Sequence, residues 1–376
     1  MTMTARLLAA TFIALALVSP ARAQSVSGRF ADGDGTPIPS ARVMLQDESG
    51  RVVHSALTDA RGQFSLRAPA AGRYVLRAER IGYTTTVSEP MSLDVGQQAT
   101  QGLVASGQRV LLDAIVVEAE ARCAVRPGGD QTAAVWGEVR KALDVVRATT
   151  GDARARFAVE LFEREVESPS GSVTSDQRRR VEGMAHKPFV TVDPQRLSTV
   201  GFVEREGDGY LYAAPDADVL LSDRFLEEHC FRLRTAGAPS PGLIGLAFEP
   251  VRGRRVPDVQ GVLWVDRASA ELRLMEFEYT RAPMRGPRGV PGGRMEFQRL
   301  PDGRWITSSW VIRMPVEAAR TETNVLVPQA RQVAAIREVG GSVLPPGSAA
   351  TVAAAAPAPA AARVAAAEPA PAAQVP

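Results

Sequence analysis

Lysine is almost missing from this chain. It occurs only at Lys141 and Lys187, so all but two of the 44 basic residues are arginine, and they offset 42 acidic residues to a net charge of +2. An even scatter of arginine through a sequence rich in Ala, Gly and Pro reflects GC-rich coding. It forms no phosphate-binding surface and gives no case for a nucleic-acid partner. The one basic run, Arg178-Arg179-Arg180, reads as a solvated loop or a strand edge. Histidine is nearly as scarce: His54, His186 and His229 lie far apart. No H-E-x-x-H pair exists, so a hydrolytic zinc site is excluded, and no metal or cofactor is expected. His229 and Cys230 adjoin, but neighbours on a predicted helix point about 100° apart. The chain has no G-x-S-x-G elbow and no glycine-rich phosphate loop. Ser168 to Asp176 is a polar loop without a nearby histidine, and the DGDG stretch at Asp32 to Gly35 lacks the further ligands of a calcium loop. Glu160, Glu163, Glu165 and Glu167 read as the solvated face of a strand. No catalytic residue is assigned. A hydrolase built on an unrecognised carboxylate pair stays as an alternative.

Long apolar runs are also absent, with one exception. Leu7 to Val18 is a 12-residue apolar stretch behind Arg6, followed by Pro20 and by small residues at Ala21 and Ala23. That is too short to span a bilayer but suits a secretory leader, residues 1–23, with Gln24 as the first mature residue. No cysteine follows the cleavage site, so no lipid anchor is expected. The mature chain has no transmembrane segment and is expected in the periplasm or on the outer surface of a bacterium. Cysteine is limited to Cys123 and Cys230. In an exported protein the pair is expected to form a disulfide, against the alternative of two separate buried thiols. The bridge would close a loop worth about 4–5 kcal/mol on the chain-entropy model.

What is present is mainly β. Residues 24–118 show short alternating strands at regular spacing with glycine turns, the pattern of a sandwich. In TDARGQF, Asp59 accepts hydrogen bonds across a tight turn, Gly62 takes a positive φ, and Phe64 enters the core. Gly72 is expected to turn the chain before Tyr74. The motifs VSGRF (Val26–Phe30), GTPIPSARVML (Gly35–Leu45), TDARGQFSL (Thr58–Leu66), AGRYVL (Ala71–Leu76) and IGY (Ile81–Tyr83) resemble the carboxypeptidase regulatory-like family. That resemblance implies a transthyretin-type, seven-strand Greek-key sandwich that serves folding, docking or display and has no peptidase activity. Residues 108–117 alternate as a last strand would. Residues 112–117 also resemble the energy-coupling box of TonB-dependent receptors, which implies an accessory role in an outer-membrane system by strand addition. The residues that follow are too few for a plug and a barrel of about 22 strands.

Residues 119–151 are read as a linker and a helix, with Val135, Val139, Ala142, Leu143 and Val146 on one stripe. Residues 152–340 are read as an α+β domain with a curved antiparallel sheet and a second helix over Asp218–Cys230. Turns are expected at Val265–Ala270 and Pro301–Gly303. Gly261, Trp264, Asp266 and Leu272 resemble a hairpin of the lipoprotein-localisation carriers, which implies a half-barrel around an apolar ligand. Trp264, Phe277, Tyr279, Trp310 and Ile312 are the candidate apolar-ligand surface; the alternative is that they are core. Residues 341–376 form an Ala/Pro tail expected to be disordered, with polyproline character. The working reading is an exported, non-catalytic cell-envelope protein that binds a partner protein or an apolar ligand.

Overall fold

In the computed structural model the described residues are 24–105, 110, 112, 115, 124–125, 129–151, 156–185, 192–284, 291–317 and 333–344, apart from 169, 208 and 302. Residues 1–23, where a leader is expected, Cys123, His186, Lys187 and everything past 344 lie outside them. The chain divides into two compact units. One comprises residues up to Glu79 together with Thr85–Ser106; the other takes Arg80–Thr84 and the chain from Gly107 onward.

The first unit holds β1 (Gln24–Ala31), β2 (Arg42–Asp47), β3 (Val52–Leu57), β4 (Gln63–Ala68), β5 (Gly72–Glu79), β6 (Thr86–Val87), β7 (Met91–Leu93), β8 (Gln98–Thr100) and β9 (Leu103–Val104). They form two sheets. One runs β4-β1-β8, with β9 also on β1; the other runs β3-β2-β5-β6, with β7 also on β5. Nine short strands thus stand where seven were expected. Alternation places Phe64, Leu66 and Ala68 of β4, and Tyr74, Leu76 and Ala78 of β5, in the core with Phe30 and Leu45.

Asp59 behaves as its sequence context demands. Its Oδ1 accepts from the N–H of Arg61 and of Gln63, both at 2.8 Å, and Gly62 has φ +72°. Gly72 does not. It has no positive φ and is the first residue of β5, paired with Leu93. The bend lies at residues 69–71, where the Tyr74 hydroxyl donates to the Ala70 carbonyl at 2.7 Å.

The second unit holds β10 (Ala124–Val125), α1 (Asp130–Gly151), β11 (Arg156–Glu167), β12 (Val173–Ala185), α2 (Pro194–Val200), β13 (Val203–Glu206), β14 (Gly209–Tyr212), α3 (Ala217–Leu220), α4 (Asp223–Glu228), β15 (His229–Arg234), β16 (Leu243–Pro250), β17 (Asp258–Asp266), β18 (Leu272–Thr280), β19 (Gly292–Arg299), β20 (Trp305–Glu317) and β21 (Val333–Val343). Ten strands make one open sheet in the order β10-β15-β16-β17-β18-β19-β20-β21-β11-β12, antiparallel throughout. Strands β13 and β14 form a separate hairpin.

Several expectations change here. The helix expected over 218–230 is two short helices, broken where the Ser222 hydroxyl donates to the Val219 carbonyl (2.7 Å) and accepts from the Phe225 N–H (3.2 Å). His229 and Cys230 belong to β15, so the helical argument about their directions does not apply. Val173 to Asp176, expected in a loop, begin β12. Gly341 to Val343, expected in the tail, end β21. Of residues 108–117, positions 110, 112 and 115 are described and lie in no strand, and the Ile115 N–H donates to the Leu112 carbonyl at 3.1 Å. Helix α2 was not anticipated, although Asp193-Pro194 is a start signal. The Asp193 carboxylate caps Gln195 and Arg196, and Gly201 at φ +87° ends the helix.

The turns at 266–271 and 300–304 form as expected, with Ala270 at φ 58° and Gly303 at φ 87°. In the first, Asp266 Oδ1 accepts from the Ser269 N–H and hydroxyl, both at 2.9 Å. Burial pushes the Asp266 carboxyl up. The Ser269 hydrogen bonds, with Arg273 nearby, outweigh that and hold it below its ordinary 3.8. Its folded value is the depressed one, so its contribution to stability is present above 3.8 and is lost as pH falls through the folded value. Thermal melts between pH 7 and about 3 should therefore show Asp266→Asn less stable at neutrality, with the gap closing in acid. A gap that stays constant with pH would refute the assignment.

Candidate functional site

Register decides which side chains share a surface, because directly opposed residues of an antiparallel pair point to the same face. One row crosses the sheet as Leu246, Leu263, Met275, Met295, Trp310, Gly341 and Leu161, and ends on Arg179 of β12. The neighbouring row runs Phe248, Gly261, Phe277, Gly293, Ile312, Val339 and Glu163, and ends on Gln177. Tyr279, two residues from Phe277, shares this face.

Trp264 does not. It opposes Gly245 and Leu274 on the other face, where it packs with Leu243, Ala247, Val262 and Leu274 and donates its indole N–H to Glu276 at 3.2 Å. The five candidate ligand-surface residues are therefore split four and one. All five are at most 9% exposed.

The aromatic rings lie over glycines on the facing strand. An added Cβ would come within 2.7 Å of the Phe248 ring at Gly261, 2.5 Å of Phe277 at Gly293, 2.5 Å of Trp310 at Gly341, and 2.8 Å of Trp264 at Gly245. Each ring fills the space a neighbouring side chain would take, and this makes the face a packed interior.

Two clusters of ionisable groups are buried in the second unit. The first is a stripe on α1. Glu138, Lys141 and Asp144 are spaced i, i+3, i+6 and are 2%, 6% and 5% exposed. Lys141 Nζ donates to Glu138 Oε1 and to the Tyr83 carbonyl, both at 2.6 Å. Glu138 Oε2 accepts from the Gly82 N–H at 2.7 Å. The stripe thus holds the IGY segment, which was read in the sequence as a sandwich motif. Close by, burial and the Arg299 charge lower the pKa of the Arg80 guanidinium, with Glu271, Tyr83 and Glu138 opposing. Asp144 binds Arg140 at 3.2 Å and Arg147 at 2.6 Å.

The second cluster joins α2, α4, β15 and β17. His229 Nδ1 lies 3.0 Å from the Phe225 carbonyl; Nε2 lies 3.1 Å from Asp258 Oδ1 and 3.2 Å from the Val259 carbonyl. Phe225 stacks on the ring at 3.9 Å. Arg254 pairs with Asp258 and, at 2.8 Å, with Glu228, which also accepts from Ser198. His229 and Asp258 are each 1% exposed. Both imidazole nitrogens already face oxygens of the chain, so the ring presents no lone pair to a metal or substrate. Among the described residues no group of three His, Cys, Asp or Glu could hold a metal ion. His54 is half-buried in β3.

Residues 112–117 do not offer a free strand edge at the positions described. Leu112 is fully buried, and the carbonyls of Leu112 and Ile115 accept from Arg267 at 3.2 and 3.0 Å. At the first end of the sheet, β10 pairs Ala124 with Phe231 and Val125 with Cys230. At the other end lies β12, exposed from Val173 to Arg179 and paired only with β11 among the described residues. The Arg178–Arg180 run is thus a strand edge. Arg178 reaches Glu160 (3.1 Å) and Asp176 (3.3 Å), and Arg180 reaches Glu182. No described helix is long and apolar enough to cross a membrane.

Residues 25–105 match the carboxypeptidase regulatory-like domain. No curated protein matches the chain. Among solved structures, a type II cohesin-X-dockerin complex from Acetivibrio cellulolyticus is 22% identical with a TM-score of 0.18, over 23% of this chain and 60% of that one. A streptococcal ancillary pilin is 16% identical with a TM-score of 0.20, over 45% of this chain and 52% of that one. The major pilin subunit BcpA of Bacillus cereus is 8% identical with a TM-score of 0.18, over 76% of this chain and 92% of that one.

Proposed function

We propose that this chain, with its carboxypeptidase regulatory-like domain at residues 25–105, is an exported, non-catalytic protein of the bacterial cell envelope that works by binding another protein. The site of action is the periplasm or the outer surface. The observation that carries the reading is the open end of the ten-stranded sheet, where the apolar rows give way to a charged hairpin, β11–β12, whose outer strand is exposed from Val173 to Arg179. The buried ionisable clusters support it, because Glu138, Lys141, His229 and Asp258 are bound to the chain's own groups. Phe277, Tyr279, Trp310 and Ile312 are enclosed, which favours core over an apolar-ligand surface. The burial of Leu112 disfavours strand addition to an energy-coupling protein.

The cleaved leader and the Cys123–Cys230 disulfide belong to the same reading. The β10 register brings the chain within two residues of Cys123 alongside Cys230. The test is site-specific photo-crosslinking in the producing cell, from Gln177 on β12 and from Val52 on the edge strand β3. A discrete adduct with an envelope protein from either position is expected. A folded, exported chain that gives none from either position would refute the binding role.

A further inference from the structure

We infer that the outer edge of β12 accepts an extended segment of a partner protein whose centre carries consecutive carboxylates. This inference rests on the binding role just proposed and names its surface. The strand is 13 residues long, about 40 Å at the usual rise; from Val173 to Arg179 it is exposed, and among the described residues β11 is its one strand neighbour, so a further strand could pair along that stretch. Its charges follow a pattern: Asp176, then Arg178-Arg179-Arg180, then Glu182. The basic residues are presented on both faces. Arg178 and Arg180 stand on the face of Phe162 and Glu160, and Arg179 stands on the face of Leu161. The ion pairs to Glu160, Asp176 and Glu182 align Arg178 and Arg180 in advance, while Arg179 faces no carboxylate across the hairpin.

The same pattern argues against self-pairing of two copies in the symmetric register about Arg179. Antiparallel self-pairing centred on Arg179 would set Arg178 against Arg180, Arg179 against itself, and Asp176 against Glu182. Like charges directly opposed destabilise a strand pair. A strand with the inverse pattern, three carboxylates at its centre and a basic residue three positions from the middle on each side, meets every charge with its opposite. In that register the edge repels its own kind and admits an acidic strand; a register centred on Gln177 would oppose Arg178 to Asp176, so a dimer of the chain joined through this edge would overturn the inference.

The probe is a synthetic 13-residue peptide of Thr and Val with Glu-Glu-Glu at its centre and Lys three residues from the middle on either side. It is titrated into the full chain by fluorescence anisotropy. The acidic peptide should bind about tenfold or more tightly than its charge-reversed counterpart, and Arg179→Glu should weaken it by a similar factor while circular dichroism stays unchanged. N-methylation of alternate peptide residues separates strand addition from diffuse attraction. Methyl groups on the paired edge should abolish binding; those on the outer edge should leave it intact. Equal binding of the two charge patterns, no binding of the acidic peptide, or indifference to both methylation patterns would overturn the inference. Crosslinking from Val52 but not from Gln177 would overturn it as well, while leaving the broader binding role standing.

Discussion

Glu138→Ala is expected to destabilise the second unit by about 3–5 kcal/mol, the cost of leaving one member of a buried ion pair without its partner. Lys141, 6% exposed, would lose its carboxylate partner and retain the Tyr83 carbonyl as its acceptor among the described residues, and the Gly82 N–H would lose its acceptor. Chemical denaturation read by tryptophan fluorescence reports the loss. The paired replacement Glu138→Leu with Lys141→Met is the informative companion. Apolar replacement of a whole buried pair is often neutral. Here the pair also satisfies two backbone groups, and each buried group left open costs about 1–3 kcal/mol. The double variant should therefore recover part of the loss and stay below the wild type. Full recovery would mean that the stripe does not hold residues 80–84.

Gly293→Ala is expected to cost about 1–3 kcal/mol through overpacking, although it adds a single methyl group. The added Cβ would lie 2.5 Å from two ring atoms of Phe277 and 2.7 Å from the Val311 carbonyl. The ring is 5% exposed and packs edge-on against Tyr279, with centroids 5.6 Å apart. Phe277→Leu in the same background should offset part of that cost, so the two changes together should be less harmful than their sum. Additive losses would show that the ring does not press on Gly293.

The first unit was largely readable in advance because its elements are set by local chemistry. Asp59 and Gly62 fix one turn, and alternation in β4 and β5 assigns their inward faces without knowledge of the partner strand. Gly72 misled because a glycine before an aromatic looks like a turn, whereas this one begins a strand. In the second unit, alternation gives the parity of side chains within each strand but not between strands. The irregular register between Trp264 and Val265 cannot be read from composition, so Trp264 was grouped with residues of the opposite face. The α1 stripe was missed for a different reason. Glu138, Lys141 and Asp144 look like the wet side of an amphipathic helix, and what the first two grip is the backbone of a segment 56 to 58 positions earlier. The one available signal was scarcity: a chain that keeps two lysines places one in the middle of its clearest helix. The β12 edge was partly legible, since Arg178-Arg179-Arg180 is the kind of run that guards an exposed strand.

The enclosure of Lys141 has a practical consequence. Amine-directed reagents, whether acylating labels or bifunctional linkers, find two lysine ε-amines in this polypeptide, and one of them is shielded by Glu138 and the Tyr83 carbonyl. Acylation at Lys141 then becomes a clock for the release of residues 80–84, advancing at the rate at which that segment lets go.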